Sequence, residues 1–172
     1  MSGEILFTAL VLAVGLERVA ELVVSQRNAA WSIARGGLES GRGHYPFMVV
    51  LHTGLLAGAL VEVWVRRPDT APVLAWAMLL LVAASQALRW WCIATLGRQW
   101  NTRVIVVPGS PRVTGGPYRW FSHPNYVAVV VEGLALPLVH SAWITAVVFT
   151  MLNGFLLTTR MRVEDAALAR LT

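Results

Sequence analysis

The chain has 172 residues, 56% of them hydrophobic and only 13% charged, with a mean hydropathy of +0.61. That is more apolar surface than one soluble domain buries, so an ordinary soluble fold is excluded and a bilayer is the fitting solvent. The 14 basic residues are all arginine, the formal net charge is +5, and the arginines flank apolar segments. They therefore read as charges that orient the chain in a membrane, with no nucleic-acid partner.

About twenty apolar residues cross a hydrocarbon core, and Ile5 to Val24 meets that measure. The stretch has no basic run ahead of it and carries Glu17, Arg18 and Glu21, so it reads as a retained helix and not as a signal peptide. A polar segment, Ser25 to Tyr45, follows with Gly36-Gly37 and Gly41-Arg42-Gly43. Phe47 to Val65 is a second span, and a third runs from about Val73 to Ala94. After a polar stretch from Gly97 to Ser122, a fourth helix from Pro124 to about Leu136 and a fifth from about Trp143 to Thr159 form a tight antiparallel hairpin. Arg160 to Thr172 looks like a short amphipathic helix, with Arg160, Arg162, Glu164, Asp165 and Arg170 among Met161, Val163, Leu168 and Leu171. The expected fold is an all-α integral membrane protein of about five transmembrane helices. It forms a single domain, 1–172, with its chemistry in 97–172.

Arginine bias places the segments at 25–45, 95–122 and 160–172 in the cytoplasm and the N-terminus outside, leaving Arg66 and Arg67 on the far side. Seven of the eight tryptophans (Trp31, Trp64, Trp90, Trp91, Trp100, Trp120 and Trp143) fall near span ends, as an interfacial belt would. The single cysteine, Cys92, permits no intrachain disulfide and reads as a small buried hydrophobe.

Ionisable groups inside spans need a partner or a task. Glu17 and Glu21 share a helix face beside Arg18, which suits pairing between helices. Glu62 lies one turn from Arg66 and reads as a surface pair. Glu132 lies seven residues after Asn125 on one stripe, where a site role and a structural hydrogen bond both stand. If the fifth helix continues past Thr159, Asn153, Leu157, Arg160 and Glu164 form one stripe, with Arg162 opposite. Such a stripe is a wall for a pocket, or a simple Arg160–Glu164 pair. His52, His140 and His44 read as packing or loop residues. No His or acid spacing resembles a zinc or di-iron site, so no metal is expected.

The polar run Arg112 to Tyr126 concentrates what chemistry there is: two arginines, a histidine and two tyrosines between apolar segments. Gly115-Gly116-Pro117 reads as a turn, and Ser122-His123-Pro124 as a helix start with Ser122 or His123 near the N-cap. That helix turns its positive dipole end toward the loop.

Gly116-Pro117-Tyr118-Arg119, then Ser122-His123-Pro124-Asn125-Tyr126, and then Arg160-Met161-Arg162-Val163-Glu164-Asp165 resemble the motifs of the isoprenylcysteine carboxyl methyltransferase family of integral membrane enzymes. The resemblance implies S-adenosylmethionine as cofactor and S-adenosylhomocysteine as product. It implies Gly116, Pro117, Tyr118, Arg119, His123, Pro124, Tyr126 and Glu164 as cofactor-binding residues, joined by Asn153 from the helix stripe. Arg160 would lie near the methyl acceptor, and Arg160, Glu164 and His123 would be the catalytic set.

Within the family, the N-terminal half, with Glu17-Arg18 to Glu21-Leu22, Gln26-Arg27-Asn28, Gly36-Gly37 and His44-Tyr45-Pro46, looks most like a bacterial subgroup that methylates phenolic lipids or alkylpyrones in the cytoplasmic membrane. The lipophilic acceptor and membrane lipids are then the expected partners. Ser122 stands where the family commonly has arginine, and Asp165 where it often has a second glutamate. A prenylated cysteine carboxylate or a phospholipid amine remain alternative acceptors. A small transporter or scaffold is the non-enzymatic alternative, though it would want polar residues along a path across the bilayer. The chemistry fits the residue types: the cofactor carries an activated methyl, so the protein needs positioning and stabilisation of an oxyanion. Aromatic faces suit a sulfonium, and an arginine favours an ionised phenol or enol.

Overall fold

The computed structural model describes residues 2–169. Five α-helices account for most of them: α1 (Ser2–Ile33), α2 (Tyr45–Arg66), α3 (Pro72–Leu96), α4 (Pro124–Leu138) and α5 (Trp143–Ala169). Proline opens three of them, with Pro46, Pro72 and Pro124 in first turns where the missing N–H leaves no bond unmade. The third helix is closed by Gly97 at φ +53°, a conformation that resists a side chain.

Three segments are long and apolar enough to cross a membrane: Arg42–Arg66, Pro72–Gln99 and Trp143–Ala169. They carry most of the expected span pattern. The other two helices differ from it. At 32 residues α1 is about 48 Å long, but Glu4, Glu17, Arg18 and Glu21 interrupt its apolar run. With 15 residues, α4 reaches only about 22 Å, short of a hydrocarbon core. It packs chiefly against α3 and α5, and Ala128, Ala135 and Leu136 are fully buried there. Where α4 meets α5, Gly133 lies under the Phe149 ring, and a Cβ at that position would collide with it. The principal core joins Phe7, Val11 and Val14 of α1 to Ala59 and Val63 of α2, Val82 of α3 and Leu136 of α4. Large apolar side chains such as Leu16, Val50, Trp76, Met151 and Phe155 face outward, as a lipid-exposed surface requires.

Two expectations change. The segment 160–169 is no separate amphipathic helix but the unbroken end of α5. No glycine or proline interrupts it, and the Thr158 and Thr159 hydroxyls donate to the Phe155 carbonyl without breaking it. Arg170 and Leu171 lie outside the described residues. The first helix also runs nine residues past Val24, because its polar end serves as a docking face. Asn28 Nδ2 donates to the carbonyls of Gly97 (3.1 Å) and Trp100 (2.8 Å), and the Ser25 hydroxyl lies 2.7 Å from that of Thr102.

The all-α expectation gains a small ribbon. Strand β1 (Leu38–Ser40) pairs antiparallel with β2 (Val104–Val106), Glu39 opposite Ile105. Gly41, at φ +68°, ends β1 beside His44 and Val163, so the ribbon sits against the end of α5.

Glu62 is more than a surface partner of Arg66. It is 8% exposed and accepts hydrogen bonds from the backbone N–H groups of Ile144 (3.0 Å) and Thr145 (2.8 Å), capping the start of α5. The Arg66 pair at 3.3 Å is its outer contact. His52 packs edge-on to Phe149, His140 lies against Phe7, and Cys92 is fully buried, all as packing residues. Most of the belt tryptophans lie at exposed or partly exposed helix ends, but Trp100 is only 3% exposed.

Candidate functional site

The turn Gly116–Arg119 packs onto α3. Gly116 adopts φ +53° with Thr95 and Trp91 directly beside its Cα, so backbone conformation and lack of space both exclude a side chain. Pro117 is buried, and Tyr118 lies against Cys92. Burial raises the Tyr118 phenol above its ordinary range, so it stays protonated.

His123 begins α4, but its side chain does not cap the helix. It stacks on Tyr126 (ring centroids 5.2 Å, 11° between planes) and faces the end of α5, with Nε2 3.2 Å from Asp165 Oδ1 and Nδ1 3.7 Å from Glu164 Oε1. The stripe read along α5 is present: Asn153, Leu157 and Arg160 are buried, Glu164 follows one turn on, and Arg162 is exposed. The Tyr126 hydroxyl donates to Glu164 and accepts from Arg160 Nε at 2.9 Å, and the guanidinium lies 5.5 Å from the Tyr126 ring centre. Five residues from three stretches of chain thus converge: Tyr118, His123, Tyr126, Arg160 and Glu164.

They line a cavity of about 180 Å³ bounded also by Val104 to Val107 and by Arg112. A second, more apolar cavity of about 300 Å³ lies between α1, α2, α4 and α5. Both are bounded by Trp100, Asn101, Asn125, Tyr126 and Arg160, so one wall lies between the more polar chamber and the more apolar one. Val19 and Val49 line the apolar cavity and are themselves 57% and 42% exposed, which opens it sideways between α1 and α2.

The remaining expected site residues stand apart from both cavities. Gly116, Pro117 and Pro124 shape the turn and the helix start. Arg119 is exposed over Trp120, and Asn153 is buried seven residues before Arg160. Sequence reasoning missed Trp100, Asn101, Tyr45 and the ribbon as lining residues, because none sits in a periodic pattern. It also missed Arg89, whose signal was a lone arginine inside an apolar run.

Arg89 Nη2 lies 2.6 Å from Glu132 Oε2 and Arg89 Nε 3.6 Å from Glu21, while Arg18 Nη1 lies 2.9 Å from Glu21. That network turns Glu132 into a structural partner. Among the described residues, no group of three His, Cys, Asp or Glu side chains could hold a metal ion.

The donor set suits a cationic ligand that carries hydrogen-bond donors. The polar chamber presents a carboxylate, aromatic faces for a positive centre, and the Asn125 side-chain oxygen Oδ1, which is buried with no hydrogen-bond partner.

One pH dependence follows from His123. The Glu164 hydrogen bond raises its pKa above the ordinary value, opposed by burial and helped by Asp165. A raised folded pKa means the charged imidazole stabilises fully below about 6.5 and loses that contribution as pH rises through the higher folded value. The gap in melting temperature between wild type and His123→Gln should therefore narrow between pH 6 and pH 9. A gap that widens would contradict the pairing.

The chain matches the model of the "Isoprenylcysteine carboxyl methyltransferase (ICMT) family" over residues 77–170. It is 35% identical over 164 residues to an uncharacterized protein of Bacillus subtilis, YpbQ, covering 95% of this chain and 96% of that one. It is also 23% identical over 155 residues to an uncharacterized protein of Haemophilus influenzae, covering 90% of each.

Proposed function

Since the chain belongs to the isoprenylcysteine carboxyl methyltransferase family, whose members are membrane methyltransferases that use S-adenosylmethionine, we propose that it transfers a methyl group to an oxygen of a lipophilic acceptor, a phenolic lipid or alkylpyrone. The observation that carries this reading is the shared wall. A polar chamber and an apolar one meet at Tyr126 and Arg160, so a water-soluble cofactor and a membrane-dissolved acceptor can approach each other from different phases.

In this reading Tyr118, His123, Tyr126 and Glu164 hold the cofactor from the polar side. Gly116, Pro117, Arg119 and Pro124 set the turn and helix start that aim them, and Asn153 supports the α5 stripe. S-adenosylmethionine supplies an activated methyl, and the electron pair of the broken carbon–sulfur bond stays on sulfur.

The chain's own residues position and ionise the acceptor. Arg160, buried and bonded to the Tyr126 hydroxyl, favours the oxyanion. The Tyr126–Glu164 hydrogen bond offers a route by which the acceptor's proton leaves toward the polar chamber. The tail of the acceptor extends through the mouth at Val19 and Val49 into the lipid. The arginine bias puts the polar chamber on the cytoplasmic face, with the N-terminus outside.

The test is twofold. Titration calorimetry of detergent-purified protein with S-adenosylhomocysteine should give saturable binding. Membranes supplied with methyl-labelled cofactor should label an alkylresorcinol or alkylpyrone in preference to a prenylcysteine or phosphatidylethanolamine. Binding without label on any oxygen acceptor would leave the cofactor site standing and overturn the acceptor class.

A further inference from the structure

The turn 97–102 is fastened to α1 more firmly than a connecting loop needs. Asn28 Nδ2 donates to two of its carbonyls, and the Thr102 N–H donates to the Ser25 hydroxyl at 3.0 Å. The Trp100 N–H closes the turn onto Gly97 at 3.2 Å. The fastening holds Trp100 and Asn101 in the wall between the two cavities, next to Tyr126 and Arg160.

Both residues bring a donor that the protein leaves unused. Trp100 is 3% exposed, yet its indole Nε1–H is buried with no hydrogen-bond partner, and the Asn101 Nδ2 amide is in the same condition. A buried indole N–H ordinarily finds a partner, and leaving one unmade is unfavourable. Packing alone would be met by a phenylalanine without that cost. Trp31 also has an unbonded indole N–H, but it lines neither cavity and lies under the Arg35 guanidinium.

We propose that Trp100 Nε1–H and the Asn101 side-chain amide together bind the acceptor's reacting oxygen, forming a two-donor oxyanion site in the wall they share with Arg160. This rests on the acceptor being an oxygen nucleophile in the apolar cavity. The two N–H groups take the oxygen as it loses its proton, and the rigid turn fixes its direction toward the polar chamber. Arg160 contributes charge, whereas Trp100 and Asn101 contribute geometry. Donors held in place by the fold need no reorganisation when charge develops.

The probe is 4-pentadecyl-2-nitrophenol, whose phenolate absorbs visible light and whose phenol does not. It is titrated in detergent with the wild-type protein and S-adenosylhomocysteine. Bound to the wild type, its midpoint should fall below that in protein-free micelles. Trp100→Phe and Asn101→Leu should each move it back by about one pH unit, the scale of one hydrogen bond to a charged oxygen.

Both residues also border the polar chamber, so S-adenosylhomocysteine is kept saturating for each variant, and far-ultraviolet circular dichroism with cooperative thermal unfolding checks the fold. Asn101→Leu serves as the independent arm if the tryptophan change impairs folding. Midpoints in both variants equal to wild type, or a wild-type midpoint no different from bare micelles, would overturn the two-donor site. A wild type that binds no S-adenosylhomocysteine would instead sink the methyltransferase reading itself.

Discussion

Replacing Glu164 by alanine should weaken S-adenosylhomocysteine binding by at least about a hundredfold while the protein still unfolds cooperatively. The Glu164 carboxylate accepts from Tyr126 and faces His123 Nδ1 at 3.7 Å, and it borders the polar chamber with its side chain 30% exposed. Hydrogen bonds to a charged group contribute about 1.5–3 kcal/mol each, so two lost bonds to the cofactor's amino or ribose groups give the hundredfold figure. The alanine also frees the Tyr126 hydroxyl from its acceptor and leaves Arg160, 7% exposed, beside Tyr126 without that carboxylate.

His123→Ala should fall in the same direction, because the ring that stacks on Tyr126 also holds the end of α5 through Glu164 and Asp165. Glu164→Gln keeps the shape and some hydrogen bonding, so its loss should be smaller. Calorimetry on the three variants, with far-ultraviolet circular dichroism as the folding control, decides the matter. Wild-type affinity in both alanine variants would remove Glu164 and His123 from the site.

What made the site legible was the contrast between a polar run and its apolar flanks, together with the arithmetic of a helix. Asn153, Leu157, Arg160 and Glu164 follow from spacing alone once α5 is allowed to continue, and it does. Spacing does not say which element that stripe faces. The meeting of Arg160 with Tyr126, 34 residues apart, comes from the α4–α5 packing around Gly133 and Phe149.

The apolar spans were readable because hydrophobic runs of that length have few alternatives. The extension of α1 was not, because Ser25 and Asn28 look like loop residues until the turn they hold is seen. The ribbon escaped for a similar reason: three-residue strands carry no alternation to detect. Trp100 looked like one more interfacial tryptophan, since nothing local separates an indole at a span end from one folded back into a wall.

The largest stability loss should come from Arg89→Met, about 3–5 kcal/mol, with much of it recovered in the Arg89→Met/Glu132→Leu double variant. Arg89 sits in α3, 5% exposed, and joins α4 through Glu132 and α1 through Glu21. Three carboxylates, Glu17, Glu21 and Glu132, face two guanidiniums there, with Gln86 and Trp90 donating to Glu17. Removing Arg89 leaves three carboxylates against Arg18 alone in a setting with little water, and an uncompensated buried charge is what makes breaking such a pair costly. Removing Glu132 as well takes away the carboxylate that Arg89 held most closely and leaves Glu17 and Glu21 to Arg18, and methionine and leucine fill comparable volume, so the double change should approach wild type.

Thermal unfolding in one detergent, run as a double-mutant cycle, measures the coupling directly. A double variant no more stable than Arg89→Met would show that the two residues are held by their other neighbours. The same cycle has a functional reading, because Arg18, Glu21 and Arg89 line the apolar cavity. If the network only braces α1, α3 and α4, the double variant should keep S-adenosylhomocysteine affinity and methyl transfer together. A loss of transfer with affinity intact would assign the network to the acceptor.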